Sequence, residues 1–140
     1  AEGDGVFHPA PGEFADLVVK EVERAGLTDR AIIQSFDVRP LQHIKKNFPA
    51  MQVALLVGGD EDPVKKLALL GFTPATLSPQ FSLVTAELVR LCREIGMKLV
   101  PWTVNRIEDL ERISKFDIDG IITDYPDRAV LIFRKPPRAK

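Results

Sequence analysis

Cysteine, tryptophan and tyrosine each occur once in these 140 residues, and histidine twice. The single Cys92 cannot build a disulfide framework or a cysteine zinc site within the chain. Neither sign of charge is in excess: 19 Lys and Arg face 20 Asp and Glu, a formal net charge of −1. A chain so balanced has no general attraction for polyanions, which argues against nucleic acid or an anionic membrane as the partner. Long apolar runs are missing as well. Stretches such as Val53–Val57 and Ala129–Phe133 fall far short of a bilayer span. The opening residues, Ala1-Glu2-Gly3-Asp4-Gly5, do not read as a signal peptide and carry no Met, which suits a processed chain or a fragment. Three phosphate or nucleophile signatures are absent too: a Gly-x-Ser-x-Gly elbow, a Walker loop and a Gly-x-Gly-x-x-Gly after a strand.

What the chain does have is a core and a rhythm. Its length fits one domain, residues 1–140, and its 45% hydrophobic content lets it bury roughly two-thirds of its unfolded surface. Short apolar segments recur at Ala31–Phe36, Gln52–Val57, Ala75–Ser78, Lys98–Val104 and Gly120–Asp124. Their nearly unbroken apolar character predicts strands buried on both faces. Between them lie segments with helical spacing. Phe14, Leu17, Val18, Val22 and Ala25 form one stripe that stops at Gly26. Asp37 can cap a helix carrying Leu41, Ile44 and Phe48, and Asp62-Pro63 starts Val64–Leu70 before Gly71. Val84, Leu88, Leu91, Cys92 and Ile95 predict a helix ending at Gly96. Asn105 and Glu108 resemble a capping box ahead of Leu110, Ile113 and Phe116, and a last helix begins near Pro126. The basic, proline-containing tail 134–140 reads as a frayed end. A helix followed by five strand–helix units calls for a parallel sheet with right-handed crossovers. Both a complete five-stranded open sheet and part of a (β/α)₈ barrel satisfy that pattern, and at this length the pattern alone favours the open sheet.

In either fold, ligands gather at the carboxyl ends of the strands. The residues there are Ser35-Phe36-Asp37, Gly58-Gly59-Asp60, Ser78-Pro79, Trp102–Asn105 and Thr123-Asp124-Tyr125. Capping by itself accounts for Asp37 and Asn105, and Gly58-Gly59-Asp60 reads as a turn rather than a phosphate loop. Asp124 suits capping or a bond to a neighbouring loop better than a metal. Trp102 suits a core and a pocket wall equally, since its ring is large and amphipathic. His8 and His43 lie away from the strand ends, and Cys92 sits on an apolar stripe as inert core.

Three segments together point to a family. Ile33-Gln34-Ser35-Phe36-Asp37, Pro101-Trp102-Thr103-Val104-Asn105 and Asp119-Gly120-Ile121-Ile122-Thr123-Asp124-Tyr125-Pro126-Asp127 resemble, in order and spacing, the carboxyl-terminal half of the glycerophosphodiester phosphodiesterases. The resemblance runs from about Phe14 to Asp127. It implies an α/β fold, the later strand–helix units of a (β/α)₈ TIM barrel of the phospholipase-C-like phosphodiesterase type, incomplete in this chain. It also implies a phosphoric diester hydrolase that releases glycerol 3-phosphate and an alcohol in lipid and glycerol metabolism.

Members of that family carry an amino-terminal half with a His-Arg-Gly strand, a Glu-x-Asp pair, a His-Asp segment and a Glu-x-Lys strand. Two of those histidines serve as general acid and base, and the carboxylates hold a divalent metal, magnesium or calcium. No residue here matches those positions, so the resemblance assigns this chain no catalytic residue and no metal ligand, and implies that the chain by itself is inactive. What carries over is the pocket wall: Trp102 and Phe36 as substrate-binding residues, with Asn105 and Asp124 supporting loops. The implied partners are a glycerophosphodiester and either the missing half of the barrel or a second copy, with no nucleic acid and no membrane span. The compartment stays open, with the cytoplasm as the working expectation. Two further readings stand beside the hydrolase: a non-catalytic half-barrel acting by association, and a receiver- or flavodoxin-type domain, which lacks the acidic pair and the lysine it would need.

Overall fold

The computed structural model describes residues 3–134. Helix α1 (Pro11–Arg24) has proline in its first turn, where the missing N–H costs nothing, and buries Ala15 and Val19. Strand β1 (Ile32–Ser35) leads into α2 (Val38–Asn47), whose N-cap is Asp37, accepting from the Arg39 N–H. Strand β2 (Gln52–Val57) is followed by α3 (Pro63–Leu70), capped by Asp62 and closed by Gly71 in the left-handed region at φ 78°. Strand β3 (Thr76–Pro79) passes through a single 3₁₀ turn at Phe81–Leu83 into α4 (Ala86–Glu94), capped by Thr85. Strand β4 (Lys98–Leu99), α5 (Ile107–Ile113) and α6 (Pro126–Phe133) complete the order. The tail expected to fray lies outside the described residues, apart from Arg134.

All strand pairs are parallel, and the spatial order β1-β2-β3-β4 is the chain order. That order decides between the two architectures the pattern allowed. A doubly wound sheet reverses its direction of growth at a switch point, whereas a barrel adds each strand on the same side of the last. Here every crossover steps the same way, and α2 packs between α1 and α3. The open-sheet preference is therefore corrected. Alternation along β2 sends Val53, Leu55 and Val57 into the helix-covered core with Leu77 and Leu99, while Ala54 and Leu56 take the other face. Val19, Leu41, Ile44, Leu110 and Ile113 close that core from the helices, each fully buried.

Two sequence expectations fail at one edge. The Lys98–Val104 strand shortens to Lys98–Leu99, and Gly120–Asp124 forms no regular strand. On the β3 side the ladder is interrupted at Pro79, which has no N–H, and the Ser78 hydroxyl donates to the Val100 carbonyl instead (2.6 Å). On the outer side Pro101 likewise has no N–H to offer the later segment. The later segment is instead tied on by separate bonds, from the Asp119 N–H to the Leu99 carbonyl (3.0 Å), from Ile122 to Pro101 (2.9 Å) and from Val104 to Ile122 (2.9 Å). The capping box also fails. Helix α5 starts one residue later, behind Arg106, because the Asn105 side chain is engaged elsewhere.

Candidate functional site

The carboxyl ends of the four strands converge on one mouth. Trp102 follows β4, and its backbone N–H donates to the Pro79 carbonyl (3.0 Å) while its indole Nε1–H donates to the Ser78 carbonyl (2.7 Å). Both bonds fix the half-buried ring over the end of β3. Phe36 follows β1 and is 49% exposed. The two rings meet edge to face, centroids 5.4 Å apart at 85°, a geometry their quadrupoles favour. In a flat sheet, strands three places apart would stand about 14 Å from each other. Ring contact across that interval therefore requires side chains that lean together over a curled sheet. The two residues expected to bind substrate are thus brought together, from opposite ends of the sheet.

Behind Phe36 lies a charged cluster that the sequence reading did not single out. Lys66 of α3 is buried at 9% exposure, forms an ion pair with Glu61 Oε1, and places its Nζ 5.7 Å from the Phe36 ring centroid. The other Glu61 oxygen accepts the Gly58 N–H (2.6 Å). The hydrogen bond from Lys66, then that from Gly58, holds the Glu61 carboxyl below the usual carboxylate range. A signal was present in the sequence: Lys66 stands four residues before Leu70, the other buried residue of α3, and so on its inward stripe.

The remaining strand-end groups are occupied structurally. Asp37 caps α2 and pairs with Arg39 (2.5 Å), whose hydrogen bond keeps the Asp37 carboxyl below its ordinary range. Arg39 also reaches Asp4 (2.5 Å), beside a cavity of about 340 Å³ bordered by His8, Phe14 and Ser35. Gly58-Gly59 forms the expected turn, braced by Glu61. Asn105 and Asp124 support a loop, as the resemblance implied. Asn105 Nδ2 donates to Asp124 Oδ2 (2.7 Å), and its Oδ1 accepts from the Asp124 N–H (2.9 Å) and Thr123 Oγ1 (3.2 Å). The histidines lie away from this mouth: His43 binds Asp16 (2.7 Å), joining α2 to α1, and His8 bonds the neighbouring Pro9 carbonyl.

Both the sequence and the sequentially wound parallel sheet match a known family. The model of the glycerophosphoryl diester phosphodiesterase family aligns with residues 7–128. The chain belongs to that family. A glycerophosphodiester phosphodiesterase of Caldanaerobacter subterraneus subsp. tengcongensis is 36% identical over 126 residues, covering 89% of this chain and 51% of that protein. The crystal structure of a glycerophosphodiester phosphodiesterase from Parabacteroides distasonis superposes with a TM-score of 0.75 at 26% identity, over 90% of this chain and 53% of that one. An Oleispira antarctica phosphodiesterase, solved with the product sn-glycerol-3-phosphate, shares the fold at a TM-score of 0.67 and 18% identity, over 91% of this chain and 53% of that one. The four-stranded sheet is thus part of the (β/α)₈ barrel of glycerophosphodiester phosphodiesterases, and the chain spans about half the length of the relatives it matches. Among the described residues, no group of three or more His, Cys, Asp or Glu could hold a metal ion, and no helix is long and apolar enough to cross a membrane.

Proposed function

We propose that this chain is the carboxyl-terminal portion of a glycerophosphodiester phosphodiesterase and supplies the apolar wall of its substrate site. The whole enzyme would hydrolyse a glycerophosphodiester: water adds at phosphorus, the ester bond to the head-group alcohol breaks, and glycerol 3-phosphate and the alcohol leave. The observation that carries this reading is the Phe36–Trp102 contact at the strand ends of a sheet belonging to this family. Two perpendicular rings offer an apolar corner suited to the carbon side of the glyceryl group. Metal dependence is general in the family, yet the described residues present no fitting donor set. The magnesium or calcium ligands, and the acid and base, are therefore assigned to the complementary half of the barrel, and this chain by itself is expected to be inactive. We place the enzyme in glycerol and lipid metabolism, with the cytoplasm as its compartment.

The test combines binding and turnover. Glycerol 3-phosphate titrated into the 140-residue chain should shift the emission of Trp102, the sole tryptophan, in a saturable way, and Phe36→Ala should weaken the response. Glycerophosphocholine should not be turned over, with or without magnesium or calcium. Metal-dependent turnover by this chain would overturn the assignment of the missing groups to another half.

A second reading, a half-barrel that acts by association, is favoured by exposed apolar residues at both ends of the sheet. Phe14, Leu17 and Ile32 are 50%, 49% and 47% exposed at the β1 end, and Ile122, Val130 and Leu131 are 37%, 50% and 76% exposed at the other. Closure by a second copy or by a companion half would cover them. A monomer across the micromolar range in light scattering would remove the second-copy form of that reading.

A further inference from the structure

We propose that Lys66, clamped by Glu61, is a positioning residue that holds the Phe36 ring perpendicular to Trp102 and in contact with it. The consequence for ligand binding rests on the reading of these rings as a substrate wall; the positioning itself does not. A buried ammonium is costly to desolvate and persists where partners compensate for lost water. Lys66 has two such partners, the Glu61 carboxylate and the face of Phe36. Its neighbour Lys65 is exposed, so burial is a property of this position and not of lysines on α3 generally.

Glu61 is equally constrained. One oxygen takes the ammonium and the other takes the Gly58 N–H, which ties the turn after β2 to α3. The pair therefore cannot swing outward without giving up a backbone bond.

Phe36 needs this support. Half its surface is open to solvent, and among the described residues the contact with Trp102 and the cation are its two ring interactions. It also has somewhere else to go. A groove of about 400 Å³ between α2 and α3 is bordered by Phe36, Glu61, Lys66 and Leu69. With the ammonium gone, the ring can turn into that groove and leave Trp102. Trp102 stays, because its indole N–H is held by the Ser78 carbonyl. Its exposure to solvent then rises.

Lys66→Met keeps the apolar stem and removes the charge, Glu61→Gln keeps the shape and weakens the clamp, and Lys66→Arg keeps a cation over the ring. Acrylamide quenching of Trp102 in the unliganded chain is the primary readout, with urea midpoints confirming that each variant is folded. Loss of the contact should raise the ratio of displaced to stacked Phe36 about fivefold, and the quenching constant should rise with it. Glu61→Gln should do the same in smaller measure, and Lys66→Arg should restore the wild-type value. If Lys66→Met does not fold, Glu61→Gln against wild type carries the comparison. Wild-type quenching in every folded variant would overturn the proposal. A glycerol 3-phosphate titration separates it from the reading of the wall. If the wild type responds and Lys66→Met responds more weakly, by at most about fivefold, both stand. Raised quenching in the variants with no response from the wild type leaves the positioning intact and removes the substrate wall.

Discussion

Replacing Asn105 with alanine removes the staple that stands in for a missing strand ladder. Residues 119–124 are joined to the sheet by scattered backbone bonds, and the Asn105 amide adds three contacts at their far end. Its Oδ1 accepts two neutral donors, each contributing about 1 kcal/mol net in a typical setting. Its Nδ2 donates to the Asp124 carboxylate, a charge-assisted bond discounted to about 0.5 kcal/mol because Asp124 is solvent-exposed. Allowing for partial replacement by water, the loss should be about 2 kcal/mol. For a chain this size that lowers the urea midpoint by about 1 M at an m-value near 2 kcal/mol/M. Equilibrium urea unfolding followed by Trp102 emission measures it. Faster amide exchange at Ile122 and Asp124 should accompany it, because the opening is local. Asn105→Asp keeps the acceptor but turns a carboxylate toward Asp124, so it should cost at least as much at neutral pH and recover partly on acidification. A loss below about 0.5 kcal/mol for both variants, the range of an ordinary surface change, would refute the reasoning.

Three further outcomes are expected. Leu55→Ala, at a fully buried site on β2, should cost about 3 kcal/mol in the same unfolding assay. In acid, burial pushes the Asp119 carboxyl upward, but the Leu99 N–H (2.8 Å) and Arg93 outweigh it and hold it below the ordinary range, as Lys66 and Gly58 do for Glu61. A folded-state value below the unfolded one gives stability that is fully present above about pH 5 and lost as the pH falls through the folded value. Urea midpoints between pH 6 and pH 3 should therefore drop, and Asp119→Asn should flatten that limb. Burial pushes the Cys92 thiol up to about 11 and hides it, so Ellman's reagent at pH 8 should react slowly with the native chain and rapidly in denaturant.

The features legible in the sequence were those set within a turn or two of chain. Asp37 and Asp62 cap the helices they precede, and Gly71 closes α3 with a positive φ that its lack of a side chain permits. The apolar runs at 52–57 and 75–78 became central strands because such runs are stable only when covered on both faces. The misreadings arose where a distant partner competed. Asn105 has the chemistry of a cap, but the 123–124 loop offers it a carboxylate and a backbone N–H, and α5 starts without it. Gly120–Asp124 has the composition of a strand, but Pro101 opposite it cannot donate, so no ladder forms. Lys66 reads as one of two adjacent lysines until the fold sets it between Glu61 and Phe36.

By itself the sequence determined the alternation of helix and strand, the caps, and a family resemblance strong enough to place Phe36 and Trp102 at strand ends. Local backbone preference and hydrophobic period dictate the alternation and the caps, and both act over a few residues, whereas the resemblance rests on three motifs in their order and spacing. Only the tertiary structure decided that the strands follow one another in a single direction, that rings from β1 and β4 meet across the mouth, and that a buried lysine stands behind one of them. Those outcomes depend on which surfaces pack together over tens of residues, where many arrangements satisfy the same local pattern and the packing of the whole core selects one.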